Sequence, residues 1–312
     1  MIPHARYFGG VDAGGSKTLA VVVDERGREL GRGLAGSANY HTIGVDLAAA
    51  HVREALEAAA HAASGSLPLA GLWIGIAGVD RADDRDLWLP RLQPLAATVR
   101  LSNDAELILS ALEGGVGVGL IAGTGSIAFG RDASGRTARA GGWGYLMGDE
   151  GSGYDIARQT LRVAARAADG RGPETALLGA LMSHWGAERP SDLIGRVYGA
   201  QDTATLARLA ELALATARAG DPEARRIVSQ AADELALAAL TVAARLQLAD
   251  APLPLALGGG LLVNDAEYRS AVESRIRVAR PAAPVAVVHD TAVSAAQAAA
   301  RLAAEAGGEH GA

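Results

Sequence analysis

The stretch VDAGGSKTLAVVVDERGR, Val11 to Arg28, gathers an aspartate, two glycines, a serine and a lysine into one short turn. Those residue types hold phosphate. A P-loop needs Gly directly before its Lys and a helix directly after it. Here Ser16 precedes Lys17, and the apolar, β-branched run that follows reads as a strand closed by a hairpin. A glycine turn between two strands still binds anions, because successive backbone N–H groups form a concavity and glycine lets the oxygens come close. Asp12, just before the turn, is placed to hold magnesium through water, against the plainer alternative of a turn-capping carboxylate. Lys17 is the single lysine among 29 basic residues, and it stands beside this turn as a point charge for phosphate.

Further stretches carry similar chemistry. In AGTGS, Ala122 to Ser126, the hydroxyls of Thr124 and Ser126 add donors to a second glycine turn. Gly258, Gly259 and Gly260 follow an apolar strand and suit the close approach of a flat ligand, although tight helix–strand packing explains them equally well. GGWGYLMGDEGSGY, Gly141 to Tyr154, sets six glycines around Asp149 and Glu150 ahead of a helix, which suits a functional loop; Glu150 reads as a helix-end acid. Asp104 ends a strand, where α/β sheets present reactive groups; an N-cap is the competing role. The 7 histidines show neither HxH nor HExxH spacing, so no transition-metal site is expected.

The elements that must position these residues come in two similar blocks. Strands at Phe8–Asp12, Thr18–Asp24 and Arg28–Ala35 lead to a helix from Asp46, a strand from Gly71, a helical segment at Asp83–Leu89, a strand at Thr98–Asp104 and a helix from Ala105. The second block, from Val116 to Gly141, repeats strand, glycine turn, strand, hairpin, strand, and its hairpin DASGR echoes DERGR. A duplicated α/β unit is the economical explanation. Beyond Gly153 helices dominate, among them one capped by Asp221 and Pro222 with Ile227, Val228, Leu235 and Val242 on one face. A strand ending in the three glycines, a helix from Asp265, a strand PVAVV and a helix from Thr291 complete the chain, and the tail GGEHGA is expected to be disordered.

Composition narrows the classes. A chain of 312 residues that is 49% hydrophobic buries enough for two domains. A net charge of -6 argues against a nucleic-acid or anionic-membrane surface. With no cysteine, disulfides, thiolate metal sites and cysteine-held iron–sulfur clusters are excluded. No apolar leader and no membrane-spanning stretch is evident, and a cytoplasmic location is expected.

In order, DAGGSKT, SANYHTIG, GIAGVD, SNDA, AGTGS, GGWGYLMGDEGSG and LGGGL resemble the N-acetylglucosamine kinase family, grouped with the benzoyl-CoA reductase-type ATPases in the actin-like, sugar-kinase superfamily. The resemblance spans about Gly10 to Gly260. It implies two ribonuclease-H-like lobes around a central cleft, residues 1–111 with 290–306 and residues 112–289 with helical additions. It further implies ATP with magnesium, transfer of the γ-phosphoryl group to the 6-hydroxyl of an amino sugar, and a homodimer. By the family pattern Asp104 is the catalytic base and also touches the sugar. Asp12, Gly14, Gly15, Ser16, Lys17 and Thr18 form one phosphate grip, with Asp12 toward magnesium, and Gly123, Thr124, Gly125 and Ser126 form the other. Gly258–Gly260 adjoin the adenosine, and Asn39, Gly142, Asp149 and Gly153 join Asp104 around the sugar. Two departures stand out: Ile127 replaces an Asn of the animal enzymes, and HDTAVSAAQ lacks the glycine common at the start of the last helix. Glucosamine, N-acetylmuramic acid and glucose stay open as acceptors. A non-catalytic nucleotide-binding regulator also stays open, and the absence of cysteine disfavours an activator of acyl-CoA dehydratases.

Overall fold

The computed structural model describes residues 6–15, 17–79, 82–200, 202–248 and 252–308. The chain divides into two compact units, Met1–Val116 with Val288–Ala312, and Gly117–Val287. In the first, β1 (Phe8–Ala13), β2 (Thr18–Val23) and β3 (Glu29–Ala35) form an antiparallel meander. Strands β4 (Gly71–Ile76) and β5 (Val99–Asn103) extend it in parallel, giving the order β3-β2-β1-β4-β5. Helices α1 (Tyr40–Ile43), α2 (Val45–Ala62) and α3 (Ala82–Leu92) lie between these strands in sequence. The second unit repeats the plan with β6 (Gly117–Ala122), β7 (Ser126–Arg131), β8 (Thr137–Gly141), β9 (Leu253–Gly258) and β10 (Ala282–Val288), in the matching order β10-β9-β6-β7-β8. Its helices are α4 (Gly153–Ala168), α5 (Ala176–Trp185), α6 (Asp192–Tyr198), α7 (Thr203–Ala207), α8 (Leu209–Arg218), α9 (Pro222–Arg245), α10 (Gly260–Asn264) and α11 (Ala266–Ala279). The last helix, α12 (Thr291–Gly308), belongs to the first unit.

The duplication reaches into the hairpins. Asp24 Oδ1 accepts from the backbone N–H groups of Arg26 and Arg28, and Asp132 Oδ1 accepts from those of Ser134 and Arg136. In each hairpin the arginine side chain then binds the second carboxylate oxygen. These bonds, led by the Ser134 hydroxyl, hold the Asp132 carboxyl down at about 2.

Period-two patterning explains the first unit's core. Val11, Ala20, Val22, Leu72, Ile74 and Ile76 pack with the α2 residues Val52, Leu56 and Ala59, while Phe8, Val21, Val23 and Trp73 pack with Ala292, Ala295 and Ala299 of α12. Both faces are covered, so β4 is buried at every position. The helices are alanine-rich because they lie almost on the strands. A Cβ on Gly10 would fall 2.0 Å from the Ala292 carbonyl oxygen and 2.3 Å from the Ala296 nitrogen. Those are backbone atoms of α12 and cannot swing aside. Gly10→Ala is therefore expected to cost about 3 kcal/mol, the upper end for overpacking. The urea unfolding midpoint checks this, and an unmoved midpoint would contradict the close contact.

Three expectations are corrected. The helix expected from Ala105 is present but is a 3-10 helix, Ala105–Ala111, rather than a regular α-helix. Gly114 and Gly115 take positive φ only a few residues on, leaving too little chain for a regular helix. Helix α9 is, against expectation, long and apolar enough by length and composition to cross a membrane. Its Ile227, Leu235 and Val242 face is buried in the second unit's core, which accounts for its apolar character. In the tail, α12 continues through Gly308, and residues 309–312 lie outside the described residues.

Candidate functional site

In the first unit Asp12 stands near the end of β1, and the turn that follows is closed by the Gly14 N–H on the Lys17 carbonyl at 3.0 Å. Gly15 and Lys17 are exposed, and Ser16 lies outside the described residues. The segment 36–38 braces this turn. Thr18 Oγ1 donates to the Gly36 carbonyl and Ser37 Oγ to the Gly15 carbonyl, both at 2.8 Å, and the Ala38 N–H donates to the Gly14 carbonyl. The glycine turn and the SANYH segment are thus one hydrogen-bonded unit. Asn39 follows directly, and its Oδ1 is buried without a hydrogen-bond partner among the described residues. A buried acceptor left unpaired costs about 1–3 kcal/mol, so it marks a place where a donor from outside is expected.

Sequence reasoning missed what lies against Asp12. The Thr291 hydroxyl donates to Asp12 Oδ2, and neighbouring Asp290 binds Arg32 at 2.6 Å while capping α12 through the Ala292 and Val293 N–H groups. Burial pushes the Asp12 carboxyl above the usual carboxylate range. The Thr291 bond opposes that rise, the charge of Asp290 adds to it, and Lys17 opposes it. A sequence signal did exist in HDT, an Asp–Thr pair at a helix start, but it reads only as a cap.

Asp104 follows β5. Its Oδ1 accepts from the Ala105 N–H at 2.8 Å, and Asn103 Oδ1 accepts from the same group at 2.8 Å. The capping role is therefore real and shared by two side chains. Gly75, on the adjacent strand, lets this corner close in: a Cβ there would lie 3.0 Å from both the Asn103 oxygen and the Asp104 Cα.

In the second unit the turn Gly123–Gly125 joins β6 to β7 and supports the start of α4. The Gly153 N–H donates to the Gly123 carbonyl at 2.8 Å and the Tyr154 N–H to the Thr124 carbonyl at 3.2 Å. Ser126 Oγ donates to the Glu150 carbonyl at 2.7 Å, and the Ser126 carbonyl accepts from the Gly142 N–H. The N–H groups of Gly142 and Gly153 are therefore engaged within the protein.

Asp149 is the strained residue of this loop, with φ of 61° and little exposure. A Cβ on Gly125 would meet its Oδ2 at 2.6 Å, so the carboxylate lies on the glycine turn itself. Burial raises its carboxyl above the usual range, the Ser126 and Gly144 N–H groups hold it down, and Glu150 adds to the rise. A non-glycine residue at positive φ that is also a buried acid is what functional loops keep. Ile127 packs on Gly142, where a Cβ would come within 2.6 Å of its Cδ1.

The triple glycine adjoins the same turn. Gly259 has φ of 84°, and a Cβ there would fall 2.4 Å from the Ala122 oxygen. Gly123, Thr124, Gly153 and Gly260 line one cavity of 650 Å³, together with Arg208, Glu211, Arg218, Asn264 and Asp265. The last five carried no spacing signal. Asp265, read as a helix start, does cap α11 through Tyr268 and also binds Arg218 at 2.8 Å.

The profile of the BadF/BadG/BcrA/BcrD ATPase family matches residues 10–303. The chain belongs to that family. It is similar to the N-acetyl-D-glucosamine kinase of Dictyostelium discoideum, 35% identical across 73% of this chain and 76% of that one. It is also similar to the N-acetylmuramic acid/N-acetylglucosamine kinase of Clostridium acetobutylicum, 32% identical across 83% and 86%. A solved structure from Chromobacterium violaceum, assigned as an N-acetylglucosamine kinase, superposes with a TM-score of 0.67 at 29% identity over 94% of this chain and 98% of that one. The two-unit α/β fold is thus that of the family, and its ATPase character draws the glycine turns into one account.

Proposed function

We propose that the protein is an ATP-dependent amino-sugar kinase that transfers the γ-phosphoryl group of ATP to the 6-hydroxyl of N-acetylglucosamine. Amino-sugar phosphorylation is what the similar kinases share by name. The observation that carries the nucleotide half is the 650 Å³ cavity, in the size range of small-molecule sites, with the second glycine turn and Gly260 on its wall. In this reading Gly123–Ser126 hold phosphate oxygens, Gly258–Gly260 let the adenosine lie close, and Asp12, Gly14, Gly15, Ser16, Lys17 and Thr18 supply the second phosphate grip. Asn39, whose Oδ1 is buried and unpaired, receives a sugar hydroxyl, and Asp149 forms a further polar contact, while Gly142 and Gly153, whose N–H groups are already bonded within the protein, contribute close backbone approach to the sugar. Asp104 accepts the proton of the 6-hydroxyl as that oxygen bonds to the γ-phosphorus and the bond to ADP breaks.

Asp12 fits magnesium. Its oxygens are hard donors, and the Asp290 carboxylate stands close enough to raise its pKa. That donor set suits an ion whose other ligands are water and phosphate oxygens. When bound, magnesium supplies charge neutralisation at the phosphates. The same reading makes the protein a cytoplasmic homodimer with no nucleic-acid or membrane partner, in keeping with its net charge of -6.

ADP release measured over a panel of N-acetylglucosamine, glucosamine, N-acetylmuramic acid and glucose tests the reading. The N-acetylated or free hexosamines are expected to exceed glucose, and release that no sugar raises above the sugar-free rate overturns it in favour of a nucleotide-binding regulator. Lys17 gives a second check. As the single lysine it carries the only side-chain amine, and Mg-ATP is expected to slow its modification by an amine-directed reagent relative to the α-amino group. Equal rates with and without nucleotide would separate Lys17 from the phosphates.

A further inference from the structure

The first unit holds another cavity, of 410 Å³, at the ends of β4 and β5 remote from Asp104. Its walls are apolar, from Leu72, Val99, Ala299 and Leu302, and its charged groups are Arg6 and Arg100. Among the described residues no acidic side chain lines it and no carboxylate pairs with either arginine. Arg100 is stacked on Trp73, with its guanidinium carbon 3.7 Å from the ring centroid, and the indole is sealed beneath it. Burial, and then the like charge of Arg85, lowers the Arg100 pKa. A partly desolvated cation, repelled by a second cation and balanced by no acid, lacks only an anion.

We propose that this cavity binds a small amphipathic carboxylate, with the acid head on the Arg100 guanidinium and an apolar tail along Leu72 and Leu302. The planar guanidinium matches a carboxylate through two parallel hydrogen bonds, and its stacking on Trp73 fixes the plane in advance. Arg6, exposed at the rim, adds positive potential at the mouth. The volume lies in the range of small-ligand sites, and the lining follows their usual composition, apolar walls with a few placed polar groups. The site also touches two elements used elsewhere. Val99 and Arg100 begin β5, and Asp104 follows its last residue, roughly 13 Å from Arg100 at about 3.3 Å per residue. Ala299 and Leu302 lie on the helix whose start carries Thr291. The proposal stands apart from phosphoryl transfer and needs no sugar.

Calorimetric titration of the full chain with octanoate tests it. Saturable binding at one site is expected, with affinity at least tenfold weaker for 1-octanol, which lacks the charge, and for inorganic phosphate, which lacks the tail. Arg100→Gln should weaken octanoate at least tenfold. Because that change also uncovers Trp73, Leu302→Glu serves as an independent variant, placing a like charge in the tail path without disturbing helix propensity, and the same loss is expected. Unchanged octanoate binding in both variants, or octanol binding as tightly as octanoate, overturns the assignment. Affinity that falls as protein concentration rises would give the cavity to a second copy of the chain and overturn it as well.

Discussion

Asp104→Asn is expected to lower kcat by about 10²–10⁴-fold while the KM for ATP stays nearly unchanged, because general-base catalysis contributes about that much and the proposed role gives the residue no part in holding the nucleotide. The structure makes the substitution unusually clean. Asn caps about as well as Asp, and Asn103 Oδ1 already shares the Ala105 N–H, so the corner after β5 should survive the change. A role as a helix cap alone predicts near-normal turnover. Steady-state kinetics with a hexosamine acceptor separate the two outcomes, and Asp12→Asn provides the contrast: it should instead shift the magnesium concentration needed for half-maximal rate.

Gly259→Ala is the second large effect. At φ of 84° an alanine is strained by about 1–2 kcal/mol, and its Cβ would also sit 2.4 Å from the Ala122 oxygen. Neither atom can rotate away, since the Cβ is fixed to its Cα and the oxygen belongs to backbone. The relief available is to push the end of β6 outward, and Ala122 is the residue before the Gly123–Gly125 turn. The variant should therefore raise the ATP KM at least tenfold and lower the unfolding midpoint, while the KM for the sugar changes little. A variant with unchanged ATP KM would mean that the triple glycine serves packing alone.

Much of this was legible because it is local. The two glycine turns, the paired DERGR and DASGR hairpins and the capped start of α9 at Asp221 follow from turn chemistry and apolar spacing within a few residues. The strand alternation that places Val21 and Val22 on opposite faces follows from the same short-range rules. What escaped is long-range. Thr291 meets Asp12 across 279 positions and Arg218 meets Asp265 across 47, and neither pair has a pattern that a single sequence displays. The stretch after Asp104 misled because Glu106, Leu107, Ile108, Leu109 and Ser110 are buried in succession, so apolar content no longer distinguishes an α-helix from tighter turns. Asn39 was legible as a polar residue in a motif, yet the feature that marks it, a buried oxygen without a partner, exists only once Ala38 is tied to Gly14.

The most direct measurement is phosphorus and proton NMR of the product formed from Mg-ATP and N-acetylglucosamine. A single phosphomonoester coupled to the two C6 protons, formed in equal amount with ADP, is the predicted result. ADP accompanied only by inorganic phosphate, or an ester on another carbon, would contradict the transfer to the 6-hydroxyl on which the account rests.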